Sequence, residues 1–418
     1  MKKDRNILIL QLLSLTVAGA NGAFMNFINL YLEQVVGLSG TEIGLVAMIS
    51  MALLIVVNPI WGFIGDKTGK HVLLFKLSFF ATIFMAAVYF NARTLVAVLV
   101  VATLFEASRA AIMPFFDLIT TDYCEKVKFD FGRVRVFSSF GFMTSTMGAG
   151  FVVGGLSFTL FGRSFGFDGF LNLEHAMFGI FIFLMSVSAL LAFFVPKPRT
   201  AVDESEISGK KTPAKKFSKE DAKLLFSNKK YLYILVFIAL SLVTLEAAKA
   251  YLGNHMVMEL GTNENIMSWL TLVMVAPELL LMPLGSKLIR KVGFKKWYIF
   301  AVSTMIVRMA IYSFATSVPL IVIASLVHGL GITTHVAGNI AYIRKVVPAN
   351  VMGLAFTVMV SFMAMCRAVL SFLFGTIYDH IDGFTVFRVT TVVLTVALLW
   401  VIKSKNLKEV GDEITATS

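Results

Sequence analysis

The sequence predicts an all-α membrane protein in which about twelve transmembrane helices form two six-helix halves. Three observations predict this class: the composition, the spacing of the apolar segments and the placement of the basic residues. Of 418 residues, 57% are hydrophobic and 15% are charged, whereas a soluble domain carries about 25% charged residues. Apolar runs recur with short basic breaks, as expected when segments of about 20 residues each cross ~30 Å of hydrocarbon.

The apolar segments fall into two sets of helices. The first stretch follows Lys2, Lys3 and Arg5 but has no small-residue cleavage site, so we interpret it as a retained helix rather than a signal peptide. The predicted helices of the first set are Ile7 to Leu32, Glu42 to Gly62, Val72 to Phe90, Thr94 to Thr120, Val134 to Phe161 and His175 to Val195. Those of the second set are Tyr231 to His255, Asn265 to Leu288, Trp297 to Ala315, Val318 to Ile343, Val351 to Tyr378 and Gly383 to Ile402.

A polar segment separates the two sets and defines the expected domains. We expect residues 1–195 to form the N-terminal bundle, residues 196–230 a cytoplasmic linker, and residues 231–418 the C-terminal bundle with a cytoplasmic tail. The linker is rich in lysine, and its three prolines are unsuited to an uninterrupted helix. Its Ser218 to Phe226 stretch predicts a short surface helix with serine as the cap.

Basic residues predict the orientation in the cytoplasmic (inner) membrane. Lysines and arginines gather in alternate loops, which include Lys67 and Lys70 and the linker, whereas Glu33, Glu42 and Glu259 fall in the others. By the positive-inside rule, the chain is a multi-pass protein with both termini cytoplasmic. The net charge of +12 is therefore a topology signal. The loops lack the aromatic interleaving that base stacking needs, so we expect the lipid bilayer and no nucleic acid as partner.

The sequence offers no cofactor site. Cys124 and Cys366 form no disulfide framework and no metal-ligand spacing, and no Walker-type glycine loop supports nucleotide-driven pumping. An enzyme of lipids or a receptor is the other functional class. The ionisable residues within the predicted helices are divided between the two halves rather than gathered at one surface, which favours a transporter that is not an enzyme. We expect a monomer.

A glycine-rich charged loop follows the second predicted helix. It contains Gly62, Gly65, Asp66, Lys67, Gly69 and Lys70, and a similar spacing returns after the eighth helix as Gly285, Lys287, Arg290, Lys291, Gly293 and Lys295. Glycines permit a tight turn, and Asp66 suits the positive N-terminal end of a neighbouring helix. Matching loops in two halves are typical of transporter repeats. The first loop resembles the signature loop of the major facilitator superfamily, which implies the major facilitator fold and a gating role for these residues.

Charged residues within the predicted helices are the candidate functional residues, because each costs about 2.5 to 3.5 kcal/mol to insert at a helix centre. In the first half they are Glu106, Arg109, Asp117 and Arg135, and in the second they are Glu246, Lys249, Glu278, Arg308, His328, His335 and Arg367. Glu106 and Arg109 are three apart, so mutual neutralisation is an equally good interpretation. Asp117 and Arg135 flank a short loop that can bring them together. A carboxylate and a guanidinium facing one cavity can bind adjacent sugar hydroxyls, and Phe142 can cover the apolar face of the sugar.

The segment Pro114 to Gly141 resembles the oligosaccharide:proton symporters, the lactose permease branch of the superfamily. The resemblance implies that Asp117, Arg135, Phe142 and Glu278 bind substrate. It also implies that Arg308 and His328 belong to the machinery that couples protons to sugar.

The chain departs from that branch at the proton site. Gly331 stands where the symporters have the glutamate that gives up the proton, Ser325 where they have a lysine, and Lys249 where they have its aspartate partner. If protons are the coupling ion, Glu278 or Glu246 must carry them, with Arg308 or Arg367 as neighbouring cations.

We therefore expect secondary active transport of a small polar solute, a sugar or oligosaccharide, by alternating access and with proton coupling. Proton-driven efflux of drugs or metabolites is an alternative, since Gly150, Gly154 and Gly155 resemble part of an exporter motif in which Phe151 replaces the proline. Uptake of nucleosides or aromatic acids is a further alternative.

Overall fold

The structure is a computed structural model that describes residues 5–160, 163–196, 219–281, 291–348 and 351–404. Most of the predicted linker, the second loop from Gly285 to Arg290 and the predicted tail lie outside the described residues. Arg5 begins the first helix, and Ser404 follows the last one.

Helices make up nearly all of the described chain. In the N-terminal part they are α1 (Arg5–Met25), α2 (Ile28–Gln34), α3 (Gly40–Thr68), α4 (His71–Phe90), α5 (Leu95–Arg109), α6 (Ile112–Val127), α7 (Phe131–Gly154) and α8 (Leu173–Leu191). The strands β1 (Leu156–Leu160) and β2 (Arg163–Phe167) lie between α7 and α8. The later helices are α9 (Lys219–Phe226), α10 (Lys229–Ile238), α11 (Thr244–Lys249), α12 (Leu252–Asn254), α13 (Ile266–Leu281), α14 (Phe294–Tyr312), α15 (Val318–Ser325), α16 (His328–Val346), α17 (Met352–His380) and α18 (Gly383–Lys403).

These helices give the predicted all-α membrane architecture. Among the described residues, nine helical segments are long and apolar enough to cross a membrane, and Ile266–Glu278 and Val318–Ile332 are shorter apolar helices. Helix α14, which contains Lys295, Lys296 and Arg308, supplies a further segment of 19 residues. Twelve segments therefore correspond in order to the twelve predicted helices, and the fold class is confirmed.

Several predicted helices end or break differently. The predicted helix Val134 to Phe161 is wrong at its C-terminal end: α7 stops at Gly154, and the antiparallel β1–β2 hairpin pairs Leu156 with Phe167. Gly155 has a φ of +73°, a backbone conformation that favours glycine. The predicted helix Thr94 to Thr120 is broken at Ala110–Ala111, and Val318 to Ile343 at Leu326–Val327. The hydropathy pattern identifies a membrane-spanning segment, but it does not show where the helix within that segment is broken.

The described residues group into two compact units. Unit 1 comprises Met1–Lys215 with Thr262–Thr271, and unit 2 comprises Lys216–Gly261 with Leu272–Ser418. The predicted domain boundaries stay a prediction: this division assigns part of the predicted linker to each unit and Thr262–Thr271 to unit 1.

In unit 1, α1 and α7 cross in close contact because glycines line their interface. A Cβ atom at Gly141 would clash with the Leu15 carbonyl oxygen, and one at Gly22 would clash with the Phe142 carbonyl oxygen. Hydroxyl groups bridge the same helices: Thr146 Oγ1 donates to the Gly22 carbonyl at 2.8 Å. This crossing holds α7, the helix of Arg135 and Phe142, in place.

In unit 2, buried tyrosines tie the helices together. Tyr231 donates its hydroxyl proton to the Ala355 carbonyl at 2.7 Å, and Tyr251 donates to the Ser371 carbonyl at 2.8 Å. Both hydroxyls reach backbone of α17, so α10 and the Tyr251 turn are fixed against it.

Candidate functional site

Asp117 on α6 and Arg135 on α7 form an ion pair, with Arg135 Nη1 2.9 Å from Asp117 Oδ1. The loop between the helices is short because Lys128 ends α6 with a φ of +54°, and Asp130 begins α7 by accepting from the Gly132 amide. The two side chains remain 43% and 45% exposed. Their remaining oxygen and N–H groups are therefore available to a solute. Whether they bind substrate stays a prediction.

Phe142 lies seven residues after Arg135 on α7, so both residues occupy one face about 10.5 Å apart along the helix axis. Its ring is partly buried, and its carbonyl accepts from Thr146 Oγ1 at 2.9 Å. The helix thus places an aromatic side chain two turns from the guanidinium.

Glu106 and Arg109 neutralise each other at the end of α5. Arg109 Nε donates to Glu106 Oε2 at 2.8 Å, and Arg109 Nη1 donates to Asn21 Oδ1 at 2.6 Å. Asn21 was not among the predicted site residues, although an amide in the middle of an otherwise apolar helix is a usable signal. This pair is less exposed than the Asp117–Arg135 pair, since the Arg109 side chain is 16% exposed and the Glu106 side chain 22% exposed.

In unit 2, Glu246 and Lys249 on α11 form a further ion pair at 2.9 Å. Glu246 is also attracted electrostatically by Arg367 and Arg308. Glu278 on α13 interacts electrostatically with both Lys249 and Glu246. Glu278 forms no ion pair with any described residue.

Arg308 on α14 is buried with 1% exposure and contacts His328 on α16. Its guanidinium carbon lies 5.5 Å from the centre of the Tyr312 ring, and Tyr312 in turn shares a 2.5 Å hydrogen bond with Ser325. Within the described chain, Arg308 Nε and Nη2 have no hydrogen-bond partner. The structure therefore brings Arg308 together with His328 and Ser325, which were predicted on the following helix.

Gly331 lies next to this group on α16. A Cβ atom there would lie 3.0 Å from Met305 Cγ, so a carboxylate side chain would require Met305 to shift. His335, one turn further, is fully buried, stacks 5.1 Å from the Phe237 ring and lies near Asn339. It packs as a core residue.

The predicted gating loop is largely helical, which corrects its predicted start at Gly62. Helix α3 runs through Gly62, Gly65 and Lys67 to Thr68. It ends at Gly69, which has a φ of +62° and whose backbone N–H donates a hydrogen bond to the Gly65 carbonyl. A Cβ at Gly65 would lie 2.9 Å from the His71 ring, so glycine allows α3 and α4 to approach.

Lys70 is the exposed residue before α4. The Asp66 side chain lies outside the described set.

Among the described residues, no three histidine, cysteine, aspartate or glutamate side chains come together as metal ligands. Cys124 and Cys366 are free thiols.

The sequence of this chain is similar to that of a known protein family and of individual transporters. A profile of the MFS_1 like family matches residues 8–389. The uncharacterized transporter YwbF of Bacillus subtilis (strain 168) is 22% identical over 88% of this chain and 85% of its own length. The maltose permease of Geobacillus stearothermophilus is 20% identical over 80% of this chain and 78% of its own.

Solved structures share the fold. A variant of the nucleoside transporter NupG superposes with a TM-score of 0.80 at 15% identity, covering 95% of this chain and 99% of that one. The peptide transporter POT in complex with sulfate superposes with a TM-score of 0.72 at 12% identity, covering 98% and 95%.

Proposed function

Because this chain belongs to the MFS_1 like family of major facilitator transporters, we propose that its cargo is a small polyhydroxylated solute of the sugar or oligosaccharide class, moved across the cytoplasmic membrane with proton coupling. The Asp117–Arg135 pair carries the proposal. It is a charged pair within the helices of unit 1 whose side chains are nearly half exposed. Charged groups in such helices face water-filled cavities or protein, not lipid.

The chemistry of this pair suits vicinal hydroxyls. A carboxylate accepts two hydroxyl protons, and a guanidinium donates to hydroxyl oxygens in a fixed planar geometry. Phe142 on the same face of α7 offers an apolar surface for a sugar ring. The similarity to a maltose permease over 80% of the chain supports this substrate class.

Glu278 is the group that we assign to proton loading. Glu246 is held by the Lys249 ammonium at 2.9 Å and by two arginines, whereas Glu278 has no bonded cation among the described residues. An unpaired carboxylate in a low-dielectric environment gains most from taking up a proton. Glu278 therefore exchanges the proton, and Glu246 stays ionised as the counter-charge of Lys249.

Uptake by proteoliposomes tests the substrate site. With a labelled oligosaccharide such as maltose, we expect Asp117→Asn and Arg135→Gln each to reduce uptake about tenfold or more, because a charge-assisted hydrogen bond is worth about 1.5 to 3 kcal/mol. Arg93→Gln is the control, since the Arg93 side chain is 43% exposed, close to that of Arg135, and forms an ion pair with Glu174 elsewhere in unit 1. Unimpaired uptake in both site variants would remove the assignment.

Nucleosides are the second candidate. Their ribose carries the same adjacent hydroxyls, their base has an aromatic face for Phe142, and the chain shares its fold with a nucleoside transporter. Competition of labelled maltose uptake by unlabelled uridine and adenosine separates the two classes. A pH gradient of either sign across the vesicle separates import from efflux: an inward proton gradient drives accumulation in a symporter and depletion in an exporter.

A further inference from the structure

Basic and aromatic side chains meet at one end of unit 1, on the surface formed by α1, α4 and α8. Lys76 Nζ lies 4.6 Å from the centre of the Phe193 ring, and the Arg5 guanidinium carbon lies 5.9 Å from the centre of the Phe194 ring. Phe193 and Phe194 form the short turn that follows α8, and Phe80 of α4 packs 6.3 Å from Phe193. We call Arg5, Lys76, Phe80, Phe193 and Phe194 the basic–aromatic cluster.

The cluster lies at the end of an apolar surface. Arg5 shares the exposed face of α1 with Leu8 and Leu12, and Phe80 shares that of α4 with Leu73 and Leu77. Phe193 and Phe194 are themselves more than half exposed. Exposed apolar faces of membrane-spanning helices are the surface that lipid covers, so acyl chains extend along these helices toward the cluster.

Lys76 lies inside the span rather than beyond it. It is five residues after the start of α4, which is about 7.5 Å into the helix. A lysine at this depth extends its ammonium group along the apolar surface toward the headgroups. The aromatic rings beside it are typical of the membrane interface.

No described carboxylate balances the charges of the cluster. Neither Arg5 nor Lys76 forms an ion pair in the described chain. Two cations at the edge of a lipid-covered surface require anions from outside the protein, and this end of unit 1 is the one predicted to be cytoplasmic. Anionic lipids are enriched in the cytoplasmic leaflet, and each nearby lysine or arginine contributes about 1 kcal/mol of attraction.

We propose that the basic–aromatic cluster is a binding site for an anionic phospholipid of the cytoplasmic leaflet. Arg5 and Lys76 bind the headgroup phosphate from either side of the α8 terminus. Phe80, Phe193 and Phe194 contact the glycerol backbone and the first acyl carbons. The site is independent of the proposed sugar site, which lies on α6 and α7.

Native mass spectrometry of the full chain in detergent, titrated with phosphatidylglycerol or phosphatidylcholine, tests the proposal. We expect the wild type to retain phosphatidylglycerol preferentially. Lys76→Gln is expected to weaken that binding about fivefold, and Arg5→Gln together with Lys76→Gln about 25-fold, because each lost attraction of about 1 kcal/mol is a factor of about five. Lys126→Gln removes an exposed basic residue at the end of α6, away from the cluster, and should leave the affinity unchanged.

Two further variants guard against a folding artefact. Lys76→Arg keeps the charge and should keep the preference for phosphatidylglycerol, and Arg5→Gln alone alters only the first residue of α1 and should weaken binding about fivefold. Equal retention of both lipids by the wild type would mean that the cluster is a general interfacial anchor, which overturns the proposal. Wild-type affinity in the double variant would also overturn it. Displacement of the lipid by inorganic phosphate, but not by chloride at equal ionic strength, would indicate a soluble anion and would reject the lipid.

Discussion

The intramembrane ion pairs of this chain differ in how far their side chains are enclosed. Glu106 and Arg109 lie in one helix, with Asn21 as a third partner, and are mostly enclosed. Asp117 and Arg135 lie on different helices and are nearly half exposed. An exposed pair contributes about 0 to 1 kcal/mol to stability, so the Asp117–Arg135 pair gives little structural support, which agrees with the binding role proposed for it.

The ion pair of unit 2 predicts an asymmetric response to neutralisation. Glu246→Gln removes the carboxylate that attracts Lys249, Arg367 and Arg308, whereas Lys249→Gln leaves Glu246 with the two arginines. We expect Glu246→Gln to reduce the free energy of unfolding by about 2 to 3 kcal/mol and Lys249→Gln by about 1 kcal/mol. Thermal unfolding of the detergent-solubilised protein measures both. A larger loss in Lys249→Gln would contradict the electrostatic arrangement.

At the scale of elements, glycine positions decide how closely helices approach. Gly141 faces the backbone of α1, whereas Gly148, seven residues later on the same helix, has no atom within 4 Å of the Cβ position. Gly69 ends α3 through its positive φ. Glycines on one face of a helix thus have different roles that depend on where along the helix a neighbour crosses it.

Alanine substitutions on α7 test the close crossing with α1. Gly141→Ala forces a Cβ against the Leu15 carbonyl and should destabilise unit 1 by about 1 to 3 kcal/mol, because backbone cannot move aside as a flexible side chain can. Gly148→Ala is the matched control, with open space around the added methyl group, and should be neutral or slightly stabilising. Folded yield and melting temperature in detergent report both. Equal behaviour of the two variants would refute the crossing.

The cap of the last helix predicts a pH-dependent stability. Asp382 Oδ1 accepts from the Thr385 amide at 2.5 Å and begins α18. Burial raises the pKa of Asp382, but the hydrogen bonds from Thr385 and the electrostatic attraction of Arg388 outweigh it, so the pKa lies below its ordinary value. Because the pKa is lower in the folded state, the cap stabilises the protein above the unfolded pKa of about 3.9. This contribution is lost as the pH falls through the folded value.

Asp382→Ala should therefore lower the free energy of unfolding by about 1 kcal/mol at neutral pH. The difference from wild type should shrink below about pH 4. Asp382→Ser keeps a hydroxyl cap without a titrating group, so it should retain most of the stability and lose the pH dependence. Thermal unfolding between about pH 7 and pH 3 measures this. A difference that does not vary with pH would exclude the carboxylate as the cause.

At the scale of the whole molecule, the two units carry different balances of intramembrane charge. In unit 1, the two acidic candidates Glu106 and Asp117 each bind an arginine. In unit 2, the three basic candidates Lys249, Arg308 and Arg367 outnumber the two acidic ones, Glu246 and Glu278. Balanced ion pairs suit the binding of a neutral hydroxylated solute, whereas an unbalanced set of charged side chains suits the uptake and release of an ion. The proposal that unit 1 binds the solute and unit 2 exchanges the proton follows from this difference.

Topology mapping tests the predicted orientation of the whole chain. A fluorescent protein fused after Ser418 should fold and fluoresce, because the positive-inside rule places the C-terminus in the cytoplasm. Alkaline phosphatase fused after Gly261, in a loop flanked by Glu259 and Glu264, should be active outside the cytoplasm. The opposite pattern of activities would reverse the orientation and would move the basic–aromatic cluster to the other leaflet.

The sequence by itself determined the membrane architecture, the order of the twelve segments, the resemblance to the major facilitator superfamily and the set of intramembrane charges. Hydropathy suffices for the architecture and for the order of the segments, because the transfer of a segment into lipid depends on the composition of that segment. Only the tertiary structure decided that Arg135 bonds to Asp117 while Arg109 bonds to Asn21, that a hairpin follows Gly155, and that Gly69 ends α3. The Arg109–Asn21 contact depends on the packing of helices distant in sequence, which local patterns do not encode. The end of α3 and the start of the hairpin depend on the backbone conformations of Gly69 and Gly155, which hydropathy does not register.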